Sequence, residues 1–257
     1  MTIYDHFRPE ERSFVDQVVG WKEFTNDRFV HKLTDFLDPR QQQIASSIIG
    51  QGQDVHIQFS GGTINAERKR AFIYPSYIEP NIKDYQLVAF QVHYANKFVQ
   101  LSHRDLLGSM MSLGLKREKF GDIYIQEENV QIVVASEISS YIEANLQNVG
   151  RASIRLESIP LSGLVIVNEE WIEKTITVSS LRLDVVLSEI YQLSRSKIAP
   201  FIENKRVKVN WKTVEQAAFQ LEDGDYLSVR GLGRSKLICT LGKTKKDKWR
   251  ISVGLRK

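Results

Sequence analysis

One carboxylate in the C-terminal third of the chain lies where it could support chemistry. Asp184 follows Arg182 by two residues in the stretch SLRLDVVL, residues 180–187. An aspartate beside an arginine can act as a covalent nucleophile. It can also stabilise the first turn of a helix, where exposed N–H groups favour negative charge. The two roles place different demands on the neighbouring residues, which therefore discriminate between them.

The nucleophile hypothesis rests on the Arg-Leu-Asp triplet of pseudouridine synthases, and the flanking sequence argues against it. Those enzymes have a glycine before the triplet and a threonine and a glycine soon after it. Here Leu181 precedes Arg182, and VVLSEIY follows without a glycine. Apolar residues instead recur at the spacing of one helix face, at Leu183, Val186, Leu187 and Ile190. This spacing predicts that Asp184 lies in the first turn of a helix.

Other signatures of catalysis, cofactors or metals are weak. The stretch FSGGTINAERKR, residues 59–70, lacks the spacing of the phosphate-binding glycine loops. Cys239 is the single cysteine, which excludes a disulfide within the chain. The histidines show no i, i+4 pairing of the kind that binds metals; they are His6, His31, His56, His93 and His103. We therefore expect no enzyme activity, no cofactor and no metal.

Charge is distributed unevenly along the chain. The net formal charge is +4, but residues 181–257 hold 17 Lys and Arg against 8 Asp and Glu, a net of +9, whereas residues 1–180 have a net of −5. A basic C-terminal third of the chain that follows an acidic N-terminal part favours a polyanionic partner such as nucleic acid. No apolar stretch is long enough to span a bilayer or to act as a secretion leader. We expect a soluble, cytoplasmic protein without membrane association.

The basic third predicts a small module of helices and strands. SRSKIAPFIENK, residues 194–205, predicts a second helix with Ser194 as its N-cap and a kink at Pro200. RVKVN, residues 206–210, alternates as a strand, and EDGDYLSVRG predicts a turn into another strand. KLICTLGKTKKDKWRISVGL then predicts a hairpin with a very basic loop.

These elements resemble the RNA-binding domain named after ribosomal protein S4, here called the S4 domain. RLDVVL, SRSKIAPFI, RVKVN and DGDYLSV follow the order and spacing of that domain over about residues 181–231. The resemblance implies a basic face that grips the backbone of structured RNA, although each single lysine could simply be solvated. The implied RNA-binding residues are Arg182, Arg195, Lys197, Lys205, Arg206, Lys208, Asn210, Lys212 and Arg230.

Two positions depart from the S4 pattern, which has glycine after the second helix and in the hairpin turn. This chain has Asn204 and Lys205 at the first position and Trp211 at the second. We expect Asn204 to adopt the left-handed C-cap, because asparagine tolerates that conformation. Trp211 must occupy a strained turn, unless the turn is shifted. Its ring could pack on the module or stack on a base.

The acidic part predicts two further domains of mixed helix and strand. In residues 1–80, RPEERSFVDQVVGW and DPRQQQIASSIIG predict helices, and VHIQFSGG and RAFIYP predict paired strands. Residues 81–165 predict the order strand-helix-strand-strand-helix-strand of an RRM-like, ferredoxin-like domain. Its third strand, NVQIVVA, lacks the aromatics with which an RRM stacks bases. Residues 166–180 are predicted as a connector to the S4 domain, 181–257. The predicted fold class is multidomain α+β.

A short loop of the middle domain is basic within an otherwise acidic half. It contains Lys116, Arg117 and Lys119. A solvated loop is the simplest interpretation. The alternative is a second RNA contact, for which this loop is the best candidate outside the S4 domain.

The chain is similar to the YlmH family of bacterial proteins over nearly its whole length, in GGTINAERKRAFIYP, LSHRDLLGSMMSLGLKREKFGDI and VSSLRLDVVL. The resemblance implies an RRM-like middle and a C-terminal S4 domain. The family is related to heat-shock S4 proteins that bind free large ribosomal subunits carrying an obstructed peptidyl-tRNA. It therefore implies binding to large-subunit rRNA and tRNA in ribosome-associated quality control. We expect a monomer and no DNA partner.

Two alternatives to this function remain open from sequence. The chain could be an RNA-modifying enzyme of the pseudouridine synthase or methyltransferase type, with residues 1–165 as its catalytic part. It could also be a protein-interaction module linked to cell division, in which RNA binding is incidental.

Overall fold

The computed structural model describes residues 3–50, 54–95, 99–166 and 171–256. The chain divides into two compact units, residues 1–167 and residues 168–257. Among the described residues, the first unit contains two sheets and the second contains one.

The N-terminal part of the first unit is a three-stranded antiparallel sheet with two helices. Its elements are α1 (Arg12–Arg28), β1 (Lys32–Leu37), α2 (Pro39–Ile49), β2 (Val55–Ser60) and β3 (Lys69–Pro75), with the strand order β1-β3-β2. The predicted pairing of VHIQFS with RAFIYP is confirmed. Strand β1 has no counterpart in the sequence prediction. A register shift between Leu33 and Phe36 interrupts its alternation, which removes the period-two signal.

Helix α2 begins and ends where its sequence predicts. The Asp38 carboxylate accepts a hydrogen bond from the Gln41 backbone N–H at 2.9 Å, and the Asp38 N–H donates to the Gln41 side chain at 2.9 Å. This reciprocal arrangement is a capping box, and Pro39 fills the first helical position. Gly50 ends the helix with a φ of 61°.

The rest of the first unit is a five-stranded sheet with two helices. Its elements are β4 (Leu87–Tyr94), α3 (His103–Ser112), β5 (Phe120–Gln126), β6 (Asn129–Ala135), α4 (Ser136–Asn145), β7 (Asn148–Val149) and β8 (Ala152–Ile159). The strand order is β5-β6-β4-β8-β7, with every pair antiparallel. Apart from the short β7, this is the element order and strand order of a ferredoxin-like fold.

An aspartate joins the two parts of the first unit. Asp122 on β5 accepts hydrogen bonds from the backbone N–H groups of Glu67 at 2.6 Å and Arg68 at 3.1 Å. The Arg68 guanidinium donates to the carbonyl oxygens of Phe36 at 2.8 Å and Phe120 at 3.2 Å. The GGTINAERKR segment therefore fastens the N-terminal sheet to the middle domain.

We predict that Asp122→Ala destabilises the protein by about 1–3 kcal/mol, because two N–H groups lose their acceptor. Burial and the charge of Glu67 raise the pKa of Asp122 to about 6, although the two N–H bonds act in the opposite direction. The folded state thus binds the proton more tightly than the unfolded chain, so the stability contributed by Asp122 falls as pH rises between about 4 and 6. Urea unfolding should show a larger loss at about pH 5 than at about pH 8; an equal loss would contradict the raised pKa.

The second unit is a six-stranded antiparallel sheet with two helices against one face. Its elements are β9 (Trp171–Val178), α5 (Leu183–Tyr191), α6 (Arg195–Glu203), β10 (Val207–Val209), β11 (Lys212–Thr213), β12 (Tyr226–Val229), β13 (Gly233–Lys243) and β14 (Trp249–Arg256). The strand order is β11-β10-β12-β13-β14-β9. The predicted hairpin is β13 and β14, and its loop is the basic segment 244–248. Pro200 lies inside α6, as predicted.

The predicted connector at 166–180 is wrong. Residues Trp171–Val178 form β9, which pairs with β14 along its whole length and is the edge strand on that side of the sheet. Val178 is buried in the core of the second unit. The β-branched residues of this segment favour a strand, and the partner strand lies about 75 residues away in sequence, beyond the reach of a local pattern.

The left-handed residue after α6 is Lys205, with a φ of 58°, and not Asn204, whose φ is −87°. The prediction at Asn204 is therefore wrong by one position. The turn between β10 and β11 is not shifted. Its central residues, Asn210 and Trp211, have φ of 47° and 66°, and positive φ at both positions is what a type I′ hairpin turn requires.

We predict that Lys205→Gly stabilises the protein by about 0.5–1 kcal/mol. Glycine adopts positive φ without the steric cost that a side chain brings. Lys205 and its ion-pair partner Glu215 are both exposed, so the loss of that pair costs little. Urea unfolding of the two proteins measures the difference. A less stable variant would mean that the side chain of Lys205 contributes more than its backbone strain costs.

Candidate nucleic-acid interface

Asp184 is a helix-start residue. It lies in the first turn of α5, and its Oδ1 accepts a hydrogen bond from the Val185 N–H at 3.0 Å. Its side chain is only 6% exposed. The apolar face predicted for this helix is buried in the core, at Leu183, Val186, Leu187 and Ile190. The interpretation of Asp184 as a helix-start residue is confirmed.

The same carboxylate holds two arginines from different helices. Arg182, the residue before α5, donates from Nε to Oδ1 at 3.1 Å and from Nη2 to Oδ2 at 3.2 Å. Arg195, the first residue of α6, donates from Nε to Oδ2 at 3.0 Å and also from Nη2 to that oxygen. We call Arg182 and Arg195 the arginine pair. Asp184 brings together two guanidinium groups that are 13 residues apart in sequence.

The arginine pair keeps donors available for a ligand. The side chains of Arg182 and Arg195 are 37% and 57% exposed. A guanidinium has five N–H donors, and Asp184 engages the Nε and Nη2 edge of each. Within the residues that the structure describes, neither Nη1 has a hydrogen-bond acceptor. The outer edges can thus fork onto phosphate oxygens.

The charge state of Asp184 suits this role. Burial raises the pKa of its carboxyl, but the hydrogen bonds and charges of Arg182 and Arg195 together outweigh burial, and the pKa lies below its ordinary value. Asp184 is therefore ionised at neutral pH. An ionised aspartate orients the two guanidiniums, and the cluster retains a net positive charge.

A second group of predicted residues is fixed beside the first strand of the S4 domain. The Arg206 guanidinium lies over the Phe201 ring, with 4.5 Å from Cζ to the ring centroid. Its Nη2 donates to the Arg230 carbonyl oxygen at 2.8 Å, and the Arg230 N–H donates to the Arg206 carbonyl oxygen at 2.8 Å. Arg206 and Arg230 are both exposed. The structure therefore places these two predicted residues together.

The remaining lysines predicted to bind RNA do not lie together on one face of the domain. Lys197, on α6, and Lys212, on β11, are exposed, and Lys205 pairs with Glu215 at 3.4 Å. Lys208 alternates with the buried Val207 and Val209, whose side chains face the helices. Lys208 therefore lies on the sheet face opposite α5 and α6.

Asn210 does not belong to the surface. It is 8% exposed, and its side chain donates to Asp225 Oδ1 at 2.7 Å and accepts from the Tyr226 N–H at 3.0 Å. These bonds fix the β10–β11 turn. The alternating pattern of RVKVN placed Asn210 with Lys208, but the turn reverses the chain at that residue. We exclude Asn210 from the interface.

The basic loop of the middle domain is largely engaged within the first unit. Arg117 donates to the Phe120 carbonyl oxygen at 2.6 Å, and burial, with the charge of Arg68, lowers its pKa to about 10. Lys119 forms ion pairs with Asp35 at 2.6 Å and Glu137 at 2.9 Å. Two of the three residues predicted as a second RNA contact thus stabilise the fold. Lys116 is exposed.

Sequence reasoning left three exposed lysines out of the site, although their charge run was visible. They lie in the β13–β14 loop, which is closed by a hydrogen bond from the Thr244 N–H to the Lys248 carbonyl oxygen at 2.8 Å. The lysines are Lys245, Lys246 and Lys248. A tight loop that projects three ammonium groups attracts polyanions.

The described residues contain neither a metal-binding cluster nor a helix that could span a membrane. No group of three or more His, Cys, Asp and Glu side chains there is arranged to hold a metal ion. No helix among them is long and apolar enough to cross a membrane.

Comparison with known proteins decides the family. Residues 10–78 match the family model "YlmH, N-terminal", residues 80–163 match "Putative RNA-binding domain in YlmH", and residues 181–226 match "S4 domain". The chain belongs to the YlmH family. This YlmH-family protein is 48% identical over 255 residues to ribosome-associated protein quality control protein P2 of Bacillus subtilis (strain 168), covering 99% of each chain.

A solved structure supports the same assignment. The cell division protein ylmH from Streptococcus pneumoniae is 30% identical, with a TM-score of 0.54, and the match covers 63% of this chain and 98% of that chain. The predicted multidomain α+β fold with a C-terminal S4 domain is confirmed. The similarity to the YlmH family, predicted from sequence, is confirmed as well.

Proposed function

We propose that this protein binds structured RNA of the large ribosomal subunit, rRNA together with tRNA, and acts in ribosome-associated quality control. The proposal describes a cytoplasmic monomer that has no catalytic activity of its own. The observation that carries it is the arginine pair, in which one buried carboxylate aims two exposed guanidiniums outward.

The geometry supports recognition of an RNA backbone. Arginine forks match the spacing of phosphate oxygens, and their orientation by Asp184 reduces the entropy lost on binding. Arg206, Arg230 and the lysines of the β13–β14 loop add positive charge. Contacts of this kind recognise the shape and phosphates of folded RNA more than its sequence.

The relatives supply the biological context. The Bacillus subtilis relative is named as a ribosome-associated quality control protein, one matching family model is described as a putative RNA-binding domain, and another is the S4 domain. In the proposal, the S4 domain contacts large-subunit rRNA and the tRNA while a stalled chain is processed. We propose three domains: residues 1–80, residues 81–165 and a C-terminal domain that begins at β9. The proposal assigns no RNA contact to Lys116 and no role to residues 1–80.

The surroundings of Asp184 argue against the alternative in which it is a catalytic nucleophile. A nucleophile must reach its substrate, and this carboxylate is buried and engaged by two arginines and a backbone N–H. We therefore prefer the binding function over a pseudouridine synthase centred on Asp184.

Sedimentation with purified large ribosomal subunits tests the proposal. Binding should weaken steeply with salt, because each phosphate contact contributes a slope of roughly −0.7 to −0.9 to log K against log salt. Four contacts would give a slope of about −3. A slope near zero would instead support the protein-interaction alternative. Incubation with unmodified rRNA and tRNA, with and without S-adenosylmethionine, should yield no modified nucleosides; their formation would support an enzyme.

A further inference from the structure

The sheet of the second unit has a face that the helices do not cover. Strand alternation places Val207, Val209, Leu227, Val229 and Leu237 in the core with α5 and α6. The residues between them face the opposite side. They include Lys208, Tyr226, Ser228, Arg234 and Lys236, and the strand register aligns Lys208 with Ser228 and Ser228 with Arg234.

Three aromatic rings lie next to one another on this helix-free face. Trp211 comes from the β10–β11 turn, Tyr226 from β12 and Trp171 from β9. The ring centroids of Trp211 and Tyr226 are 5.3 Å apart, and those of Tyr226 and Trp171 are 6.0 Å apart. We call these three residues the aromatic row. None of them belongs to the described core cluster, and all three are partly exposed.

A glycine makes room for one end of the aromatic row. Gly254 on β14 lies between Lys236 on β13 and Glu173 on β9 in the strand register. A Cβ at Gly254 would lie 3.2 Å from Trp171 Cε3 and 3.0 Å from Lys236 Cε. The Trp171 indole and the Lys236 stem can therefore lie close over the strand, and Lys236 Nζ is 4.9 Å from the Trp171 ring centroid.

Charge identifies the kind of partner that suits this face. Lys236 lies over Trp171, Lys208 and Arg234 lie in the cross-strand row next to that of Tyr226, and Glu173 contributes a carboxylate at the β9 edge. Aromatic rings bounded mainly by cations are typical of surfaces that bind unpaired nucleotides, in which bases stack on rings and cations contact phosphates. An apolar or cationic protein surface would not match these charges.

We propose that the helix-free face binds an unpaired segment of RNA, with bases stacked on Trp211 and Trp171 and phosphates on Lys208 and Lys236. This site differs from the arginine pair, which lies at the start of the two helices on the other side of the sheet. The domain would then hold folded RNA through one surface and a single strand through the other. The proposal does not depend on the ribosomal assignment.

Trp211→Gly tests the site without threatening the fold. Asn-Gly is the preferred sequence for the turn that Asn210 and Trp211 form, so the variant relieves backbone strain while it removes a ring. We expect the full-length protein to bind a fluorescently labelled oligoadenylate of about 12 nucleotides, measured by anisotropy. Trp211→Gly should weaken that binding at least about fivefold, the effect of losing one base–aromatic stack.

A charge variant with a matched control completes the experiment. Lys236→Gln should weaken oligoadenylate binding about fivefold or more, whereas Lys174→Gln, on β9 and on the opposite face of the sheet, should leave it unchanged. Trp211→Gly removes no charge, so its effect on oligoadenylate binding is separate from the phosphate contacts of the arginine pair, which sedimentation with large ribosomal subunits measures. Absence of oligoadenylate binding, or equal affinity of wild type and Trp211→Gly, would overturn the inference.

Discussion

Replacing both members of the arginine pair, Arg182→Gln with Arg195→Gln, is expected to lower affinity for the large ribosomal subunit by roughly 100-fold or more near physiological salt. A charge-assisted hydrogen bond contributes about 1.5–3 kcal/mol, and two such losses amount to two or more factors of ten. Glutamine keeps an N–H donor for Asp184, so the start of α5 is preserved. Sedimentation at several salt concentrations measures both the affinity and a salt slope that should fall by about 2.

A matched control separates the site from bulk charge. Arg151 and Arg155 are exposed in the first unit, and replacing both with glutamine changes the net charge by the same amount. This control variant should retain nearly full affinity. Equal losses in both variants would mean that the net charge, and not the arrangement around Asp184, determines binding. Urea unfolding should show that both variants remain folded.

Asp184→Ala is expected to cause the second-largest change in affinity for the large ribosomal subunit. The direction of that change distinguishes bulk charge from the arrangement around Asp184. The substitution raises the net charge by one, so bulk electrostatics alone predicts tighter RNA binding. The structure predicts the opposite, because the arginine pair loses the carboxylate that orients it. We expect affinity for the large subunit to fall about tenfold, which corresponds to about 1.4 kcal/mol.

Two further measurements complete this prediction. Asp184→Asn keeps one acceptor and should lose less affinity than Asp184→Ala. Both variants should also be less stable to urea, because the Val185 N–H loses its acceptor or receives a weaker one. Tighter binding of Asp184→Ala to the large subunit would refute the proposed role of Asp184.

Local sequence patterns were sufficient wherever the interaction is local. The capping box of Asp38 and Gln41 and the first turn of α5 involve residues within a few positions of each other, and the β13–β14 hairpin joins two strands that are consecutive in sequence. The ferredoxin-like element order also follows from local periodicity. These features are determined by propensities and by side chain to backbone bonds that a short window of sequence contains.

The candidate site was predictable only in part. Arg182 and Arg195 were identified by family resemblance and charge, but nothing in the sequence indicated that one carboxylate holds both. Asn210 was assigned to the surface because strand alternation was extended one residue into the turn. The basic loop was interpreted as solvated, with an RNA contact as the alternative, and the ion pairs of Lys119 with Asp35 and Glu137 could not be read from the sequence because those partners are distant in it. Pairing between residues distant in sequence decided the positions of Arg195, Asn210 and Lys119.

The pairing of β9 with β14 has a consequence for the domain's autonomy. The S4 family match ends at residue 226 and begins at residue 181, so β9, β13 and β14 all lie outside it. A fragment that starts at residue 181 would leave the backbone N–H and C=O groups of β14 without the eight residues that pair with them. Such a bare, extended edge recruits other strands and promotes self-association. Residues 171–178 therefore belong to the C-terminal domain, and a fragment that contains β14 with its backbone partners must begin at or before residue 171.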